Sequence, residues 1–186
     1  LENWTNSLQF GLNDTYFNFD HEPSGIRFGG GLDDVFQDTR TGQLHIVDYK
    51  STAQGTRSPS TYQRKPVSLD DPWKVGYKRQ MDMYVWIMRK KGFDVSDTGY
   101  FVYVDAQHAN VNGMLNGERP NVAWVPFFAS IIPYSANPNW IESTLIEIRH
   151  FLESPESCPE HTPGKSIEGG CDLGRYANQV METLTR

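Results

Sequence analysis

Gly30-Gly31-Leu32-Asp33-Asp34-Val35-Phe36 and Leu44-His45-Ile46-Val47-Asp48-Tyr49-Lys50-Ser51-Thr52 are the two stretches whose reading decides the fold. The second is apolar and β-branched before it reaches its charges, the pattern of a buried strand. Side chains on a strand alternate between faces, so Asp48 and Lys50 emerge together while Tyr49 points away. Such charges at the end of a hydrophobic strand are unfavourable unless they pair or bind something. The first stretch is also strand-like, and Gly42 supplies a turn between the two. A hairpin would therefore bring Asp33 beside Asp48, with Lys50 adjacent.

Two converging carboxylates and a lysine suit a hard divalent cation and a phosphodiester. Mg²⁺ (or Mn²⁺) takes oxygen ligands, commonly one or two carboxylates, and completes its shell with water and substrate phosphate. Such an ion lowers the pKa of a bound water and neutralises charge developing on phosphorus. Lys50 would orient the water or stabilise the transition state. An Asp-x-Lys triplet alone is a weak motif, because a surface hairpin with an ordinary ion pair has the same sequence.

A helix should follow. Asp71 is placed to cap it, Pro72 suits the first helical position, and Lys90 and Lys91 fall in the last turn before Gly92. Tyr77, Met81, Tyr84 and Met88 form the stripe expected to pack on a sheet. Gln80 and Tyr84 are four apart and share a face. A glutamine on a packed helix edge needs partners. Strands are expected near 25–37, 43–50, 98–105 and 122–132, and a second helix near 139–153 with Ile141, Leu145, Ile148 and Leu152 on one face.

Taken in order, Gly30-Gly31-Leu32-Asp33, Ile46-Val47-Asp48-Tyr49-Lys50-Ser51-Thr52 and Gln80-Met81-Asp82-Met83-Tyr84 resemble the PD-(D/E)XK nuclease superfamily, and within it the RecB-like branch. The likeness spans residues 25 to 135. It implies a restriction-endonuclease-like α/β core, a mixed β-sheet flanked by α-helices. It also implies that Asp33, Asp48 and the backbone carbonyl of Tyr49 hold the metal, that Lys50 is catalytic, and that Gln80 and Tyr84 support the site.

Charge is segregated. Residues 50 to 91 carry ten basic and three acidic side chains, whereas the remainder carries seven against twenty. Phosphate binding depends on local potential, so a basic segment can hold a polyanion on a protein of net charge −6. Arg57, Arg64, Lys65, Lys74, Lys78 and Arg79 are the candidate DNA contacts; the competing reading is a solvated basic face. The 51–70 stretch, rich in Ser, Thr, Gln and Pro, reads as an exposed loop, either a substrate-binding loop or simple disorder.

At 186 residues the chain is expected to be one domain (1–186) with a C-terminal extension at 154–186. No apolar run reaches membrane-spanning length and no signal-peptide pattern opens the chain, so a cytoplasmic, soluble protein is expected. Cys158 and Cys171 are the two cysteines. They are too few for the four thiolates an iron–sulfur cluster usually needs, so none is expected. Cys158, His161 and Cys171 as zinc ligands are less favoured than an ordinary loop. His21, His45, His108 and His150 are read as structural or exposed.

The resemblance also implies an acidic residue or histidine ahead of the first core strand that completes the metal site. Only Glu2, Asp14, Asp20, His21 and Glu22 precede Gly30. The chain opens at Leu1, and a truncated N-terminus is expected, against the alternative that Glu2 or Glu22 serves in a compact variant. The resulting expectation is a Mg²⁺- or Mn²⁺-dependent enzyme hydrolysing DNA, in repair, recombination or defence. The alternative is a catalytically inactive nuclease-fold module that binds nucleic acid or protein.

Overall fold

A computed structural model describes residues 17–53, 66–106, 117–154, 176, 179–180 and 183. The element order is β1 (Asn18–His21), β2 (Ile26–Gly29), β3 (Asp34–Gln37), β4 (Leu44–Thr52), α1 (Val75–Lys90), β5 (Thr98–Ala106), β6 (Phe127–Ser135) and α2 (Ile141–Glu153). Single 3₁₀ turns, Pro72–Lys74 and Pro138–Trp140, lead into the two helices. β3, β4, β5 and β6 lie side by side in that order, with β4 and β5 parallel and both outer pairs antiparallel. This is the mixed, helix-flanked sheet of the restriction-endonuclease-like class.

The parallel β4–β5 pair requires a crossover, and α1 lies on it. In register, Asp48 faces Phe101 and Lys50 faces Tyr103 across the pair. Ile46, Asp48, Phe101 and Tyr103 therefore share the face toward α1, where Met81, Tyr84, Val85 and Met88 complete the core. The approach is close. A Cβ at Gly99 would run into the Met81 side chain, and one at Gly30 would meet Met83 Cε and the Tyr84 ring at 3.0 Å. Gly30 thus permits a close approach of its segment to α1.

Several expectations need correction. The strand read at 25–37 is two strands: β2 pairs with β1 in a separate hairpin, and β3 pairs with β4. The glycine run breaks it, letting the hairpin fold onto α1, where Phe19, His21 and Phe28 pack edge-on against Trp86. β6 starts at Phe127, five residues later than expected. Asp71 does not cap through its side chain; its carboxylate pairs with Lys74 at 3.0 Å instead. The 51–70 loop begins within β4 and ends on the core, with Val67 and Leu69 buried. On α2, Ile141 and Leu145 are buried but Ile148 and Leu152 are exposed, because only the first two turns pack on the body of the protein. Residues 1–16, residues 107–116 and the cysteine segment lie outside the described residues.

A candidate active site on β4 and α1

β4 places three functional groups by alternation alone. Asp48 is 2% exposed, Lys50 lies beside it with Nζ 2.6 Å from Asp48 Oδ2, and Tyr49 turns outward. Tyr49 then clamps the neighbouring strand region. Its amide donates to Asp33 Oδ2 at 2.8 Å and its hydroxyl donates to Asp34 Oδ2 at 3.0 Å. Asp33 is thereby held against the segment that carries Asp48. The hairpin expected from sequence brings the two carboxylates together.

Asp48 is held in tension between opposing influences. Burial pushes its carboxyl above the ordinary aspartate value, the Lys50 ammonium pulls it back, and Asp33 pushes it up again. Oδ2 is fully buried, with the Lys50 ammonium 2.6 Å away and no other hydrogen-bond partner. A buried carboxylate oxygen in this condition suits a cation, since ionised carboxylates normally accept several bonds. The donor set is all oxygen and anionic, which fits a hard divalent ion. Among the described residues no three His, Cys, Asp or Glu side chains converge. Two carboxylates are nonetheless within what Mg²⁺ usually takes from a protein.

Lys50 is held from the helix side. Its ammonium donates to Gln80 Oε1 at 3.2 Å, and Gln80 Nε2 donates to the Tyr84 hydroxyl. Tyr84 is 3% exposed, locked edge-on by Phe17 at 5.6 Å, and its phenol is raised chiefly by burial, with Asp48 and Asp33 adding to it. The result is a polar chain, Asp48–Lys50–Gln80–Tyr84, crossing from sheet to helix. Tyr77 belongs to it as well. Assigned by periodicity to the packing stripe, it is 37% exposed and its ring lies 4.8 Å from Lys50 Nζ. Its spacing three residues before Gln80 was the signal that could have found it.

The basic candidates separate sharply. Lys74 is 4% exposed, paired with Asp71, bonded to the Ser68 carbonyl and 5.3 Å from the Tyr103 ring centre. Its charge is used internally, so it is removed from the DNA contacts. Arg89 is tied to the Val95 carbonyl and Asp97, Lys90 to Glu142, and Lys91 to the Asn18 carbonyl. Arg79 stays exposed, with its guanidinium 6.0 Å from the Trp140 ring centre, and Lys78 stays half-buried on the same turn. Arg57, Arg64 and Lys65 lie outside the described residues.

Candidates for an additional acidic ligand also sort by position. Asp20 is paired with Arg27 at 2.7 Å, His21 Nδ1 lies 2.8 Å from Ser24 Oγ, and Glu22 borders a shallow pocket with Lys90 and Lys91. That pocket is ten residues along α1 from Gln80, about 15 Å at the helical rise. Glu22 is therefore at the wrong end of the helix for this site. Glu2 and Asp14 lie outside the described residues. His45 is structural, its ring nitrogen 2.9 Å from the Thr98 carbonyl. No helix among the described residues is long and apolar enough to cross a membrane.

Comparison with known proteins gives one match. A family model described as the PD-(D/E)XK nuclease superfamily matches residues 3–182. No curated protein and no solved structure matches the chain.

Proposed function

Because the chain belongs to the PD-(D/E)XK nuclease superfamily, we propose that it is a divalent-metal-dependent phosphodiesterase of the RecB-like kind that hydrolyses DNA. The observation that carries this reading is Asp48, buried to 2% exposure beside Asp33, with an Oδ2 that has only the Lys50 ammonium. Asp33, Asp48 and the backbone carbonyl of Tyr49 would hold Mg²⁺ or Mn²⁺. When bound, that ion supplies Lewis acidity, lowering the pKa of water and offsetting charge on the phosphoryl oxygens.

The chain's own residues do the rest. Tyr49 fixes Asp33 through its amide, so the two carboxylates keep their separation. Lys50 would offer positive charge to the phosphoryl oxygens, where negative charge develops. Gln80 restrains the long Lys50 side chain in one direction, and Tyr84 fixes Gln80 from beneath. Lys78 and Arg79, immediately ahead of Gln80 on α1, would meet flanking phosphates. Divalent-metal titration followed by cleavage of single- and double-stranded DNA tests the reading. Cleavage should need the metal and disappear in chelator; full activity in chelator overturns it.

A further inference from the structure

Gln80 borders more than the acidic site. A cleft of about 320 Å³ opens between the first turns of α1, β2 and α2. Phe28, Met83, Trp140 and Leu145 give it apolar walls, and Gly76, Arg79 and Gln80 line it from α1. The same Gln80 side chain accepts from the Lys50 ammonium at 3.2 Å. The cleft is therefore one side chain away from the Asp48–Lys50 pair. Arg79 is exposed, with its guanidinium 6.0 Å from the Trp140 ring centre. A Cβ on Gly76 would meet nothing within 4 Å, so the cleft is uncrowded there.

Apolar walls with a cation at the edge call for a ligand that has an apolar face and carries negative charge. A nucleobase with its phosphate is such a ligand, and the volume is near the lower end of pockets that hold small molecules. Aromatic and apolar surfaces take the face of any base, while a neighbouring cation takes the phosphate. Phe28, Met83 and Trp140 supply the surface, and Arg79 supplies the charge. An apolar protein side chain would fit the walls but leave the guanidinium without a counter-charge. A base within a duplex is already stacked and paired, so only an unstacked one enters at little cost. Resting on the phosphodiesterase reading, we infer that this cleft takes a nucleobase of single-stranded DNA next to the phosphate held at Asp48.

Oligothymidylate and an abasic oligomer of the same length carry the same phosphates and differ in their bases. Measured in chelator, so that neither is cut, the wild-type protein should bind oligothymidylate about tenfold more tightly, the scale of one base stack. Gly76→Leu and Ile148→Trp fill the cleft from α1 and from α2. Each should lower oligothymidylate affinity to that of the abasic oligomer and leave abasic binding unchanged. Gly76→Leu should melt no lower than wild type, since leucine is the better helix former and its side chain starts into open space. Ile148→Trp starts from an exposed position, so it gives a second folded variant. Four results overturn the inference: equal affinity of the wild-type protein for the two oligomers, binding of neither, a base preference that survives in a folded filled variant, or an equal loss for both oligomers in the filled variants. A wild-type protein that keeps the base preference but cleaves no DNA with Mg²⁺ or Mn²⁺ counts instead against the phosphodiesterase reading alone.

Discussion

Two buried aspartates sit where sheet meets helix, and they are solved in opposite ways. Asp82 on α1 is 4% exposed and fully engaged: Oδ1 accepts from the Tyr134 hydroxyl at 3.0 Å and the Asn137 amide at 2.9 Å, and Oδ2 accepts from the Trp140 indole at 2.9 Å. Asp48 on β4 is buried as deeply but faces a second carboxylate, and its Oδ2 has only the Lys50 ammonium. The first is a knot that ties α1 to the end of β6 and the start of α2. The second keeps coordination capacity in reserve. Burial alone therefore does not distinguish scaffold from chemistry; the accounting of lone pairs does.

The largest effect expected from that contrast is on activity. Asp48→Asn should abolish metal-dependent cleavage while leaving the melting temperature of the metal-free protein unchanged or raised. The sign follows from the direction of the shift. A carboxyl whose folded value is raised binds its proton more tightly when folded, so its ionised form destabilises the fold at higher pH, and removing the charge relieves this. Asp82→Ala should do the reverse, lowering stability by about 3 kcal/mol because three part-buried donors lose their acceptor. Denaturant melts and cleavage assays on both variants check the pair, and a thermally fragile Asp48→Asn protein would break the contrast. Next in size, Lys50→Ala should lower the cleavage rate about a hundredfold, typical for loss of one charge-stabilising group.

A smaller effect separates the two halves of α1. Near its start, Lys78 is half-buried and Arg79 exposed, and they are the proposed substrate contacts, whereas Arg89, Lys90 and Lys91 at its end are spent on carbonyls and carboxylates. Replacing Lys78 and Arg79 together with alanine should weaken DNA binding regardless of sequence and reduce the salt slope by about two. Replacing Lys90 and Lys91 should leave the slope alone. Smallest of all is the Lys90–Glu142 pair at 2.6 Å. Lys90, with a lesser contribution from Trp86, holds Glu142 below the ordinary glutamate value. Its stabilisation is present above the unfolded value and is lost as pH falls through the folded one. Glu142→Gln should flatten the acid limb of a stability-versus-pH curve by at most about 0.5 kcal/mol, since the pair is half exposed.

Much of the site was legible in sequence because strand alternation is unforgiving. Once β4 is recognised, Asp48 and Lys50 must share a face and Tyr49 must oppose them. Helical spacing did the same for Gln80 and Tyr84. What stayed hidden depended on tertiary partners. Lys74 reads as one more surface cation until Asp71, Ser68 and Tyr103 enclose it. Tyr77 reads as core until the first turn of α1 sets its ring beside Lys50. The 25–37 segment reads as one strand because its glycines look like a bulge in one dimension, whereas in three they break it between two sheets.

The central claim is that the Asp48 oxygen partnered only by the Lys50 ammonium is a metal ligand. Calorimetric titration of Mn²⁺ into the wild-type protein and into Asp48→Asn tests it most directly, without need of a DNA substrate. Saturable binding by the wild-type protein that disappears in a variant still folded by circular dichroism is the expected result. Equal Mn²⁺ affinity in the two proteins would contradict the account.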